Sequence, residues 1–173
     1  GAWNDPIKER AAAQALVEQG VDVIGQHVDT PTPQIVAQEN GLYATGHHRD
    51  MSEFAPKATQ CSQVWVWDRY LIPKIQAMID GVWDPGLQPY GDFIHIHDGG
   101  NDIVCCGDAV PAATVSMINA EKDAMADGKH VFEGPLYDQE GTLRVKEGEV
   151  PSDGDLWGMD WLLQGIVGTT KTL

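Results

Sequence analysis

The spacing of helix and strand signals between Asn4 and Gly46 constrains this chain more than any other feature of its sequence. Asn4-Asp5-Pro6 is a helix start: a capping side chain, then proline at the first helical position, where its missing N–H costs nothing. The helix predicted over about 6–19 places Ile7, Ala11, Ala15 and Leu16 on one face and stops at Gly20. Val21-Asp22-Val23-Ile24-Gly25 reads as a strand. Thr32-Pro33 opens a second helix to about Glu39, Asn40-Gly41 stops it, and Leu42 to Gly46 reads as another strand. Strand, helix and strand joined this tightly imply a crossover and a mainly parallel sheet, so the fold class is α/β. Ligands of such sheets bind beyond the carboxyl ends of the strands. Two stretches lie there, Gln26-His27-Val28-Asp29 and Gly46-His47-His48-Arg49-Asp50-Met51.

Beyond Met51, residues 60–67 alternate and are rich in β formers, which predicts a third strand, and Asp68 opens a helix to about Gly81 that buries Leu71, Ile75, Met78 and Ile79. Asp92 to Asp98 and Asp102 to Cys106 look like the arms of a hairpin joined by Gly99-Gly100-Asn101. A long helix is expected over about 110–126, ending at Asp127-Gly128. Asp138-Gln139-Glu140-Gly141 is a tight-turn signal between Leu136 and Leu143, and a helix-like stretch covers about 155–166.

The 173 residues suffice for one sizeable core, so 1–173 is read as a single domain. The net charge of -15, from 26 acidic and 11 basic residues, argues against nucleic acid, whose phosphates need clustered Lys and Arg, and against an anionic membrane surface. No apolar run approaches the roughly 20 residues of a membrane span, and no signal peptide is seen. The chain opens at Gly1 without Met and reads as a mature, trimmed or fragmentary product. Cys61, Cys105 and Cys106 form neither a zinc-type spacing nor a disulfide framework, and an odd count leaves at least one thiol free.

Five blocks in order resemble one family: WNDPIKERAAAQALVEQGVDVIGQHVDTP, GHHRDMSEFAPKA, SQVWVWDRY, EGPLYDQEG and LWGMDWLLQGIVG. They are similar to the basic membrane protein family, solute-binding components of ABC transporters related to bacterial purine-nucleoside receptors. The resemblance implies a type 1 periplasmic-binding-protein architecture, two α/β lobes enclosing a ligand. This chain would correspond to the C-terminal lobe, with about 68–83 and parts of the tail crossing towards a missing N-terminal lobe. It implies a small-molecule solute, a purine base or nucleoside, an ABC permease as partner, no cofactor, and a place in the periplasm or on the outer face of the cell membrane. A homo-oligomer is left open.

The resemblance also implies site residues. Relatives tend to carry G-x-D-x-D at this strand end, with carboxylates suited to a ribose hydroxyl pair. Asp50 keeps the second acid, whereas His48 replaces the first, which leaves room for a free base. The alternative for Asp50 is capping of the turn before Ser52. His27 and Asp29 should face the same crevice, neutral His offering a donor and an acceptor, although Asp29 could simply shape the turn and cap the next helix. Trp65 and Trp67, at alternate strand positions, share a face suited to stacking on a flat heterocycle. Trp67 reads better as core, and Trp3 is a further stacking candidate. The rival from another class is His95-x-His97-Asp98, an H-x-H pair on a strand, to which Asp98 or Asp102 could add a further ligand for the metal of a small hydrolase. A third reading is a folded lobe without ligand binding.

Overall fold

The computed structural model describes residues 3–84, 92–105 and 107–170. Four strands form one sheet in chain order: β1 (Val23–Gly25), β2 (Tyr43–Gly46), β3 (Thr59–Trp65) and β4 (Asn101–Cys105). The first three run parallel, and β4 lies antiparallel to β3. Helix α1 (Pro6–Glu18) leads into β1, α2 (Thr32–Glu39) joins β1 to β2, α3 (Trp67–Ile79) follows β3, and α4 (Ala112–Ala126) follows β4. A ribbon of β5 (Leu136–Tyr137) and β6 (Leu143–Val145) and the short α5 (Asp153–Trp157) come last. The α/β class and the mainly parallel sheet are as expected.

Local chemistry sets the first half. The Asp5 carboxylate accepts the Lys8 N–H at 3.1 Å, closing the start of α1, and Gly20 leaves it with φ +79°. The buried side of α1 is Glu9 and Ala13, one step round from the expected face, and Ile7 is 84 % exposed. The shift has a polar cause: the Glu9 carboxylate receives the Asp5 N–H at 2.9 Å and the Thr30 hydroxyl, which turns this residue inward. Val36 and Ala37 of α2 meet Ile24, Ala44, Ala55 and Ala58 in a core made mostly of alanines. Small side chains on both surfaces let α2 sit close to the sheet without voids.

β3 and β4 bring Cys61 and Cys105 into direct register, 4.4 Å apart at Cα, and a disulfide joins them. This corrects the expectation that the cysteines form no framework. The bond depends on which strand β4 returns to, and a separation of 44 residues does not show that. Cys106 lies outside the described residues.

Three further expectations fail for physical reasons. Residues 92–98 are not a hairpin arm. Asp98 Oδ2 accepts the His95 N–H at 2.9 Å, Gly99 turns left-handed at φ +74°, and residues 96–98 close into a 3-10 turn, local bonds that outcompete extension. β4 pairs with β3 instead. No residue of α3 is buried, and Leu71, Ile75, Met78 and Ile79 all face solvent. The C-terminal helix ends at Trp157, because the chain beyond it runs along the ribbon: Leu163 bridges to Asp138, and Gln164 N–H bonds Tyr137 C=O at 2.9 Å. The tight turn at 138–141 is present, with the Asp138 carboxylate accepting the Glu140 and Thr142 N–H groups at 3.0 and 2.8 Å. No helix among the described residues is long and apolar enough to cross a membrane.

Candidate functional site

The carboxyl ends of β1, β2 and β3 lie side by side, and each delivers rings to the same place. His27 follows β1 and meets His47, which follows β2, edge to face at 4.1 Å between centroids. Trp3 closes on His27 at 5.7 Å from one side, and Trp65, the last residue of β3, closes on His47 at 5.7 Å from the other. Trp67 extends the row, 6.2 Å from Trp65. The row Trp3, His27, His47, Trp65, Trp67 is a continuous aromatic wall across the strand ends.

Buried amides hold the wall. Gln26 Oε1 accepts the His47 N–H at 2.9 Å and Gln34 Nε2 at 3.0 Å, and Gln34 also reaches Thr45 C=O at 3.1 Å. Gln34 is fully buried in α2, so the helix braces the Gln26 side chain that in turn holds the His47 N–H. The Asp29 N–H donates to Trp3 C=O at 2.7 Å and ties the chain start to the end of β1. Burial, with neighbouring His27 and His48, holds the His47 imidazole below the usual histidine pKa, and a bond to Gln63 and the charge of Asp29 oppose this only in part. The ring is therefore neutral at pH 7.

The expected residues divide. Trp3, His27 and Trp65 join the wall. His48 stands behind it, 5.4 Å from His47, with a left-handed backbone at φ 59° and a buried Nε2 that has no protein partner. Asp29 does not cap α2, whose start has no side-chain cap; its charge reaches His47 instead. Asp50 goes elsewhere: its carboxylate accepts the Ser52 N–H at 2.9 Å, the capping role, and it lines a separate cleft with Gln60, Cys61, Cys105 and Gly107. Trp67 is 58 % exposed rather than core. Trp65 and Trp67 also frame a cavity of about 290 Å³ with Tyr70, Asp92, Ile94 and Gly100. In that cavity Asp92 is paired with Lys74 at 2.6 Å.

His47 was not among the expected residues, though the sequence contained a signal. The register pairs Gly25 with Thr45, and extending it by two sets His27 beside His47. Aligning the two predicted strands at Gly25 and Thr45 would have shown it.

The metal alternative has no preformed site. Among the described residues, no group of three or more His, Cys, Asp or Glu is placed to hold a metal ion. His95 and His97 stack at 5.1 Å, but around a 3-10 turn rather than along a strand. His95 Nε2 lies 3.2 Å from Asp153, and His97 Nε2 lies 3.5 Å from Asp98.

With this geometry in place, the likenesses to known proteins take their meaning. Residues 1–104 match the Bmp family, described as ABC transporter substrate-binding protein PnrA-like. A purine-binding protein of Brucella abortus is 31 % identical over 95 % of this chain and 46 % of its own length. A putative ABC transporter glucose-binding protein of Haloferax volcanii, TsgA13, is 29 % identical over 87 % of this chain and 40 % of its own. The chain therefore spans about half the length of these curated relatives or less. Among solved structures, a transcriptional activator of the comK gene from Bacillus halodurans superposes with a TM-score of 0.62 at 18 % identity, over 74 % of this chain and 44 % of that one. An ABC transporter solute-binding protein from Conexibacter woesei does so at 0.50 and 16 %, over 73 % and 42 %. These structural likenesses speak to fold alone. The family is one of solute-binding proteins rather than enzymes, so the hydrolase alternative has no support from it. The match over residues 1–104 shows that this chain belongs to the Bmp family of PnrA-like ABC transporter substrate-binding proteins.

Proposed function

We propose that the chain forms one wall of the solute cleft of an ABC importer and that its solute is a purine base or nucleoside-like molecule. The observation that carries this reading is the aromatic wall of Trp3, His27, His47 and Trp65. Flat heterocycles stack on such faces, and imidazole edges supply donors and acceptors. The relative named for purine binding agrees with this choice. The wall carries imidazoles where a hydroxyl-rich sugar would call for carboxylates, and Asp50 is engaged at a turn, so a base fits better than a ribose or a glucose.

The chain is one α/β domain matching one lobe of a two-lobed protein, and α3 and parts of the tail cross to the second. The exposed apolar side chains of α3 suit that crossing. Closure of two lobes would enclose the solute and signal a permease. The Cys61–Cys105 disulfide suits an oxidising compartment, the periplasm or outer membrane face, where a lipoprotein anchor would hold the full protein.

Calorimetry with adenine, guanine, hypoxanthine, guanosine and glucose, in chelator, tests the proposal. The expected result is saturable purine binding without metal, weakened on the order of tenfold or more by Trp65→Ala, since stacking on one aromatic contributes roughly 1–3 kcal/mol per base. Binding of glucose alone, or of none of these, overturns it.

A further inference from the structure

Trp65 serves two neighbourhoods. Its ring meets His47 at 5.7 Å in the wall, and it also lines the cavity of about 290 Å³ shared with Trp67, Tyr70, Asp92, Ile94 and Gly100. Backbone contacts fix the shape of this cavity. Gly100 C=O accepts the N–H of Val66, the residue between the two tryptophans, at 2.9 Å. Asn101 Nδ2 donates to Ile94 C=O at 2.7 Å, and Ile94 packs so closely on Gly100 that a Cβ there would collide with its Cγ2. Trp67 opens α3, and Tyr70 and Lys74 follow at spacings of three and four, which sets them along one side of the helix.

The polar end of the cavity is Asp92. Tyr70 Oη donates to Asp92 Oδ2 at 3.1 Å, and Lys74 Nζ reaches the same oxygen at 2.6 Å while lying 4.9 Å from the centre of the Tyr70 ring. These bonds, that of Lys74 first, hold the Asp92 carboxyl below its usual range, so it is an anion at neutral pH inside a pair of no net charge. Both donors fall on Oδ2, and Oδ1 has no partner among the described residues. One open oxygen suits an N–H, whereas a sugar's hydroxyl pair is held best by both oxygens of a carboxylate. Size gives the second limit: small-molecule sites run from about 300 to 1,000 Å³, and a cavity at the lower end takes a fused ring without its sugar.

We infer that the solute's ring seats in this cavity against Trp65 and Trp67, and that Asp92 Oδ1 sets specificity by accepting a hydrogen bond from a ring N–H of a flat, uncharged heterocycle. The inference rests on the proposed solute-binding reading and deepens it, adding Trp67 and Asp92 to the residues that touch solute. Lys74 is a positioning residue, which turns Oδ2 away from solute and leaves Oδ1 open. Its charge cancels that of Asp92, so the cavity gives an organic cation no advantage over a neutral ring. A heterocycle methylated at each N–H has nothing to offer Asp92 and is disfavoured.

The test is titration calorimetry of the full chain at pH 7.5 with hypoxanthine, 1,9-dimethylhypoxanthine and glucose, on the wild type, Trp67→Ala and Asp92→Ala. Both substituted side chains are exposed, and thermal unfolding checks that each variant folds. The wild type should prefer hypoxanthine to its dimethyl form by about tenfold or more, the worth of a hydrogen bond to a charged group. Asp92→Ala should lose a similar factor for hypoxanthine and little for the dimethyl form, so that the preference collapses. Trp67→Ala should weaken both purines by about tenfold, as loss of one stacking partner does. No preference in the wild type, an unchanged preference in Asp92→Ala, or unchanged purine affinity in Trp67→Ala overturns the inference, while weakening by Trp65→Ala leaves the solute-binding reading standing. Binding of glucose alone, or of no purine by the wild type, overturns both.

Discussion

The rings of His27 and His47 meet edge to face, 4.1 Å between centroids, although they end different strands of the sheet. Parallel register brings them together, and their proximity makes it unfavourable to charge both. Because folding depresses the His47 pKa, the unfolded chain takes up this proton first as pH falls. Stability is therefore full above the ordinary histidine pKa of 6.5, falls as pH drops below it, and levels off once the folded form is also protonated. Urea midpoints between pH 8 and 5 should show this fall in the wild type and a smaller one in His47→Gln.

Gln34 is a buried amide that serves the site from a distance. Its Nε2 joins Gln26 to the end of β2, so Gln34→Ala leaves Gln26 Oε1 with one donor fewer and Thr45 C=O without this one. A loss of about 1–3 kcal/mol is expected in chemical denaturation. Solute affinity should fall as well, since Gln26, which holds the His47 N–H, loses its brace. Unchanged affinity would show that Gln26 alone holds the histidine.

The disulfide between Cys61 and Cys105 closes a separation of 44 residues across β3 and β4. Loop-closure entropy puts its contribution at about 2–4 kcal/mol. Cys105→Ser, or reduction by dithiothreitol, should lower the urea midpoint accordingly, and the two treatments together should do no more than either one.

Gly46 ends β2 where the chain passes tightly over its neighbours. A Cβ there would collide with Ser62 Oγ and come within 2.7 Å of Met51 Cγ, both on buried residues. Gly46→Ala should cost about 1–3 kcal/mol by overpacking, and it should disturb the adjacent His47 and His48 as well. Comparison of thermal unfolding with the near-ultraviolet signal of Trp65 separates the two effects.

Elements that depend on nearest neighbours could be read directly from the chain. The Asp5-Pro6 start of α1, the Asn40-Gly41 stop of α2 and the Asp138 turn each rest on bonds made within four residues. What escaped reading depended on distant partners. Residues 92–98 carry strand-like composition, yet local side-chain bonds fold them into a turn, and β4 finds its partner nearly forty residues back in the chain. The helical period of α3 marks an apolar face correctly and cannot say whether anything covers it. At the site, residue types were legible for His27, which terminates a predicted strand, and for Trp65, which lies on one face of the strand predicted over 60–67. Asp50 looked equivalent, but its short side chain turns back to the Ser52 N–H. His47 emerges only when two strands are set in register.

The uncovered face of α3 bears on how the chain behaves in a tube. Ile72 is 62 % exposed and Ile79 73 %, with Ile75 and Met78 exposed on the same helix and Val82 just beyond its end, while the chain carries a net charge of -15. Two copies approaching one another meet repulsion first, over a range of about 10 Å at 0.1 M salt, and apolar attraction only at contact. Salt shortens the first and strengthens the second. The acidity spread over the rest of the surface thus acts as a colloidal guard for one adhesive helix, most effective in dilute buffer and weakest in brine.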